Sequence, residues 1–172
     1  MKKTNLWKRV LSIALAGVLA VGAMSQGTTA EAKAKHTFVV EHDIAPCVLL
    51  KDGTTEWEIF SAGKELLVTP TVKKGKTVYA TFQIPNASKV KSSSLTSSNK
   101  KVLKVVNKKQ GKIKAVKKGT AKLTVKVTWK YTGKACTIDV PVLKGKAIKV
   151  KKMKMKKGKT YSLKYTYPVK VN

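Results

Sequence analysis

AKLTVKVTWKY, residues 121–131, carries the longest unbroken alternation in the chain. Ala121, Leu123, Val125, Val127, Trp129 and Tyr131 alternate without a break with Lys122, Thr124, Lys126, Thr128 and Lys130. Successive side chains of an extended backbone point to opposite faces, so a period of two predicts a long antiparallel strand with one face in a core and a lysine-threonine face in water.

The same alternation recurs on both sides. Val78, Ala80, Phe82 and Ile84 alternate with Tyr79, Thr81 and Gln83 until Pro85 ends the run. Shorter pieces at Val102–Val106 and Ile113–Val116 are set off by Asn107, Gly111 and Gly119, and Cys136, Ile138, Val140 and Val142 form a further alternation. With no helical periodicity, about five to seven short strands separated by turn residues predict an all-β sandwich. The serines of Ser92-Ser93-Ser94 and Ser97-Ser98 read as a polar loop.

An internal repeat lies across this pattern. VKKGKTVYATFQIP (residues 72–85) returns as MKKGKTYSLKYTYP (residues 155–168), with the KKGKT turn, the apolar alternation and the closing proline kept. The 83-residue spacing is the size of one sandwich domain, so residues 146–172 read as a basic tail resembling the start of a second module, too short to close a sandwich alone and left to pack on the first module, pair with another chain or remain loose.

The composition needs its own explanation. The chain has 172 residues, with 37 Lys+Arg against 8 Asp+Glu and a formal net charge of +29. Hydrophobic residues make up 42%, which supplies a core and excludes a disordered polycation. Residues 1–34 carry a charged start (Lys2, Lys3, Lys8, Arg9), an apolar run from Val10 to Met24 and an Ala32-Lys33-Ala34 triplet, the layout of a cleaved signal peptide. Its removal leaves 32 basic residues, all lysine, against 7 acids, so the expected product is secreted, extracellular or cell-surface associated, without an integral membrane span. Lysine is a point charge without the planar fork that reads base edges, so sequence-specific nucleic-acid recognition is disfavoured.

Charge is also segregated. Residues 35–65 hold Glu41, Asp43, Asp52, Glu56, Glu58 and Glu65 against three lysines, whereas residues 66–172 hold 29 lysines and one acid, Asp139. This suggests a short acidic N-terminal segment, a linker near Ala62-Gly63, and a basic domain over 66–145, the alternative being that the acidic segment lies against the body and neutralises part of it.

SSNKKVLKVVNKKQGKIKAVKKGTAKLTVKV (residues 97–127) resembles the bacterial Ig-like domain, group 2, of intimin- and invasin-type adhesins and of many exported Gram-positive proteins. The resemblance rests on Ser97-Ser98-Asn99, Val102 and Val105, Gly111, Ile113 and Ala115, Gly119-Thr120-Ala121, then Leu123, Val125 and Val127, with Gly75-Lys76-Thr77 to Pro85 upstream. It implies an immunoglobulin-like β-sandwich serving as a surface, adhesion or spacer module, and it brings no catalytic residues and no cofactor.

The remaining candidates are weighed by chemistry. Cys47 and Cys136 are an even pair in an oxidising compartment, which favours a disulfide; a buried free thiol at Cys136 is the alternative. His36 and His42, near Glu41 and Asp43, are too few for a metal shell and read as solvated side chains. Glu56 and Glu58 flank Trp57 as a solvated strand edge rather than a paired acid and nucleophile. The body contains no histidine to serve as a base for its serines, so the chain is not expected to be an enzyme. Lysines therefore carry the functional expectation, above all Lys108, Lys109, Lys112, Lys114, Lys117 and Lys118 and the tail set Lys151, Lys152, Lys154, Lys156, Lys157 and Lys159. Such a field attracts anionic cell-wall polymer or another extracellular polyanion, including nucleic acid or glycosaminoglycan, with a host or neighbouring surface protein as a further partner. The bland counterpart is lysine filling solvent-facing strand positions and blocking edge-to-edge association.

Overall fold

The computed structural model describes residues 36–62, 69–144 and 147–172, and the chain is all-β over them. The alternating stretches become β5 (Thr77–Pro85) and β9 (Gly119–Tyr131), the organising strands of two sheets. In the first sheet β5 pairs on one edge with β2 (Cys47–Lys51), which pairs in turn with β3 (Glu56–Phe60). On its other edge β5 pairs first with β8 (Lys112–Ala115), itself paired with β7 (Leu103–Asn107), and then in parallel with β1 (Val39–His42). In the second sheet β9 lies between β6 (Ser88–Ser97) and β12 (Thr160–Val171), and the end of β12 runs parallel to β4 (Thr71–Val72). Between β9 and β12 the chain makes a separate two-stranded ribbon, β10 (Cys136–Lys144) with β11 (Ala147–Met155).

The apolar faces of the two sheets share one core. Val48, Leu50, Ile59, Phe60, Val78, Ala80, Phe82 and Ile84 come from the first sheet; Leu95, Leu123, Val125, Val127, Trp129, Tyr167, Val169 and Val171 come from the second. Phe60 stacks on Tyr165 at 4.3 Å between ring centroids, with Phe82 at 5.8 Å from the same ring, so aromatic contacts close the sandwich. Along β9 every apolar residue of the alternation is buried, and its lysines are exposed.

Gly111 makes the hand-off along the edge of β5. Its carbonyl accepts the Ala80 N–H at 2.9 Å between the β8 segment and Phe38, whose carbonyl accepts the Phe82 N–H. At φ +66°, an added Cβ would sit 2.1 Å from the Ala80 carbonyl oxygen, so only glycine fits this approach.

Several expectations change in this frame. Residues from Ala34 to Asn172 form one compact unit, so the boundary near Ala62-Gly63 separates no domains and residues 66–145 do not stand alone. The acidic segment supplies β1, β2 and β3, with Phe38, Val48, Leu50, Ile59 and Phe60 in the common core. The tail is not the opening of a second module: β12 pairs with β9 over twelve residues and buries Tyr165, Tyr167, Val169 and Val171. Both KKGKT copies form the same turn. Lys76 N–H donates to the Lys73 carbonyl and Lys159 N–H to the Lys156 carbonyl, each across a glycine with φ above +80°. Gly75 N–H and Gly158 N–H each bond a neighbouring strand end, Ala115 and Tyr131, which return their N–H to Lys76 and Lys159. The repeat thus marks equivalent strands of two sheets within one sandwich.

The serine run is strand β6 rather than a loop, paired with β9 through a bulge between Val90 and Ser92. Ser92, Ser93 and Ser94 are exposed positions on an edge strand, where polarity reflects solvent and not the absence of structure, and Ser97 is half-buried. The leader expected over residues 1–34 lies outside the described residues. Among the described residues no helix is long and apolar enough to cross a membrane.

Candidate polyanion interface

The lysines expected to act together are divided between several places. Lys108 and Lys109 lie in the β7–β8 turn, Lys112 and Lys114 on β8, and Lys117 and Lys118 in the turn leading into β9. Lys151, Lys152 and Lys154 are on β11 of the ribbon, and Lys156, Lys157 and Lys159 flank the turn into β12. All are exposed except Lys112, which is half-buried, and Lys152 is drawn to Asp139 across the ribbon at 3.2 Å. The ribbon itself is seated on the sandwich: the Tyr165 hydroxyl donates to the Pro141 carbonyl at 2.8 Å, and the Tyr161 hydroxyl receives the Lys156 N–H at 2.8 Å.

The outer face of the first sheet has mixed charge. Glu56 and Glu58 on β3 stand at one side and Lys104, Lys112 and Lys114 on β7 and β8 at the other. Lys51 and Glu56 pair at 2.6 Å, a half-exposed bridge of the kind that contributes at most about 1 kcal/mol. The charge segregation of the sequence is therefore a gradient across one sheet.

The outer face of the second sheet is different. Lys122, Lys126 and Lys130 of β9, Lys164 and Lys170 of β12, and Lys89 of β6 are all exposed on it. The register sets Lys126 directly opposite Lys164 and Lys89 directly opposite Lys130. Between these pairs Thr128 donates to Ser162 at 3.0 Å, and on the far side of Lys126 and Lys164 Thr124 and Thr166 share a hydroxyl hydrogen bond at 2.9 Å. Strands β6, β9 and β12 contain no aspartate or glutamate. Like charges facing each other across strands destabilise a sheet, so this arrangement opposes folding without a counter-charge. Sequence clustering missed these lysines because they are spaced along strands and meet only through the register.

The other chemical candidates are satisfied locally. Cys47 and Cys136 are free thiols, which corrects the expected disulfide. Cys47 is backbone-paired with Gln83 in the first sheet and its thiol donates to the Gln83 side-chain oxygen at 2.8 Å; Cys136 is paired with Met155 in the ribbon, beside the Tyr131 hydroxyl at 3.4 Å. Burial, reinforced by Glu58 and Glu56, pushes the Cys47 thiol up to about 12. His36 is half-buried rather than solvated: its Nε2 lies 3.3 Å from the Ala80 carbonyl and 3.2 Å from the Thr81 hydroxyl, with Tyr79 against the ring. His42 Nδ1 accepts the Ile44 N–H. Among the described residues no group of three or more His, Cys, Asp or Glu side chains is placed to hold a metal ion.

Comparison with protein-family models, with characterised proteins and with solved structures found no match.

Proposed function

We propose that this chain is an exported, noncatalytic immunoglobulin-like module of a bacterial cell surface that holds anionic wall polymer through its lysines. The immunoglobulin-like part is supported by the pairing order. β5-β8-β7 correspond to strands B, E and D of such a sandwich, and β6-β9-β12 to strands C, F and G. In that correspondence the ribbon β10–β11 is an insertion in the F–G loop, one of the recognition loops of variable domains. The N-terminal leader pattern supports export.

One observation carries the binding part: six lysines share a carboxylate-free sheet face, two pairs of them directly opposed. A surface of this kind gains Coulomb energy from any polyanion and releases that polymer's counterions on binding. The noncatalytic part of the reading is supported by local contacts of three reactive groups, with Glu56 bridged to Lys51, His36 held against β5 and the Cys47 thiol pushed up by burial.

The test is sedimentation of the protein with purified Gram-positive cell walls, before and after removal of teichoic acid, at low and high salt. Binding is expected to fall with either treatment. Binding indifferent to both overturns the proposal.

A further inference from the structure

Resting on that polyanion reading, we infer that the binding element is the outer face of β6, β9 and β12, and that its ligand is a linear, unbranched phosphate chain lying along the strands. The lysines of the β7–β8 turn and of β8, Lys108, Lys109, Lys112 and Lys114, are not the site.

Three features of the face argue for this. The first is shape: β12 has twelve residues, about 40 Å at 3.3 Å per residue, whereas the three strands together are only about 10 Å wide. A track of these proportions accommodates one extended chain. The second is regularity. Lys122, Lys126 and Lys130 recur every four residues, about 13–14 Å apart, with Lys164 and Lys89 completing cross-strand rows at Lys126 and Lys130. The hydroxyl pairs Thr124–Thr166 and Thr128–Ser162 bond to each other, so the floor between lysine rows is low and polar.

The third feature is continuity at the ends. β12 starts directly after Lys159 of one KKGKT turn, and its Val171 pairs with Val72, next to Lys73 of the other. The track therefore begins and ends at a lysine turn. Phosphate is favoured because lysine acts on it as a point charge, and the sequence beyond residue 34 offers no arginine fork for planar groups.

The experiment uses fluorescent inorganic polyphosphate chains of graded length and the full chain from Lys35. A variant carrying K126Q, K130Q, K164Q and K170Q is compared with one carrying K108Q, K109Q, K112Q and K114Q, which removes the same charge elsewhere. The track variant is expected to lower the slope of log affinity against log salt by about 3, at about 0.7 for each phosphate no longer neutralised, and the turn variant by less than about 1. Thermal melts identify any variant that has lost its fold. The wild-type length series needs no substitution: affinity should rise steeply until the chain spans about 40 Å, and thereafter only with the number of binding registers.

Equal losses in the two variants, or affinity that tracks total charge with no break near the strand length, overturn the track while leaving polyanion binding in place. Heparin fragments of matched charge binding as tightly overturn the phosphate assignment. Wild-type protein that ignores every polyanion at low salt overturns the underlying reading as well.

Discussion

Removing residues 147–172 should abolish folding, and the magnitude follows from what those residues bury. The truncation takes away Ile148, Met155, Tyr165, Tyr167, Val169 and Val171, all buried at 8% exposure or less. At about 1.5–3 kcal/mol for each buried large apolar side chain, the loss is roughly 9–18 kcal/mol. A domain of this size has about 5–15 kcal/mol of stability in total, so the remainder has no folded state. It would also leave β9 as an unpaired edge along one side.

The assay is thermal unfolding of a fragment of residues 35–146 beside residues 35–172, followed by circular dichroism and by fluorescence of Trp129, which is fully buried in the intact protein. The intact protein should show a cooperative transition and the fragment none. Tyr167→Ala gives a graded version: truncating a buried large aromatic costs about 3–5 kcal/mol, less what is returned by losing a buried hydroxyl that has no protein partner. In a domain of this length that is roughly a 10 °C fall in Tm. A fragment that melts cooperatively at the temperature of the intact protein would refute the assignment of β12 to this sandwich.

Four further outcomes are expected. In native protein at pH 8 iodoacetamide should label Cys136 and spare Cys47, with both labelled in denaturant; a pKa raised from 9.0 to about 12 cuts the Cys47 thiolate fraction by about a thousandfold. Because the neutral thiol is favoured in the folded state, its contribution is full below the unfolded value near 9 and is lost as pH rises towards 12, so Cys47→Ser should flatten the alkaline fall in stability. Gly111→Ala should cost about 2–3 kcal/mol in chemical denaturation, against about 1 kcal/mol for Gly75→Ala, whose Cβ would meet nothing within 4 Å; equal costs would contradict the close approach to Ala80. Tyr165→Phe should destabilise by about 1 kcal/mol through the missing bond to Pro141, whereas Tyr167→Phe should be neutral or stabilising, a difference that equilibrium unfolding resolves.

Much of the architecture was legible because strand alternation is a local property. The burial of Val78, Ala80, Phe82 and Ile84 and of the whole apolar set of β9 follows from the period of two alone. β6 was not legible, because an edge strand with serine at half of its positions has no apolar rhythm to declare it. The acidic segment was misread for a different reason: its six carboxylates stand out by charge, whereas Phe38, Leu50 and Phe60, which tie it to the core, carry no such signal. Of the lysine face of the second sheet, Lys122, Lys126 and Lys130 were visible as the wet side of one strand, and Lys164, Lys170 and Lys89 were not connected to them.

Local alternation and turn chemistry are enough to show which segments are extended, which side of each faces water and where the turns need glycine, and every Lys or Arg beyond position 34 is lysine. Which strands become partners depends on the folded chain. The two KKGKT strands are equally able to open a sandwich, and what distinguishes them is the surface each finds: β5 is enclosed by β2, β8 and β1, and β12 is matched to β9 along its full length. Pairing joins residues far apart in the chain, and its register decides which lysines face each other. A shift of one residue would exchange the two faces of β12, with Tyr167 and Val169 in water and Lys164 in the core, so burial of the apolar face selects the register and the lysine rows follow from it.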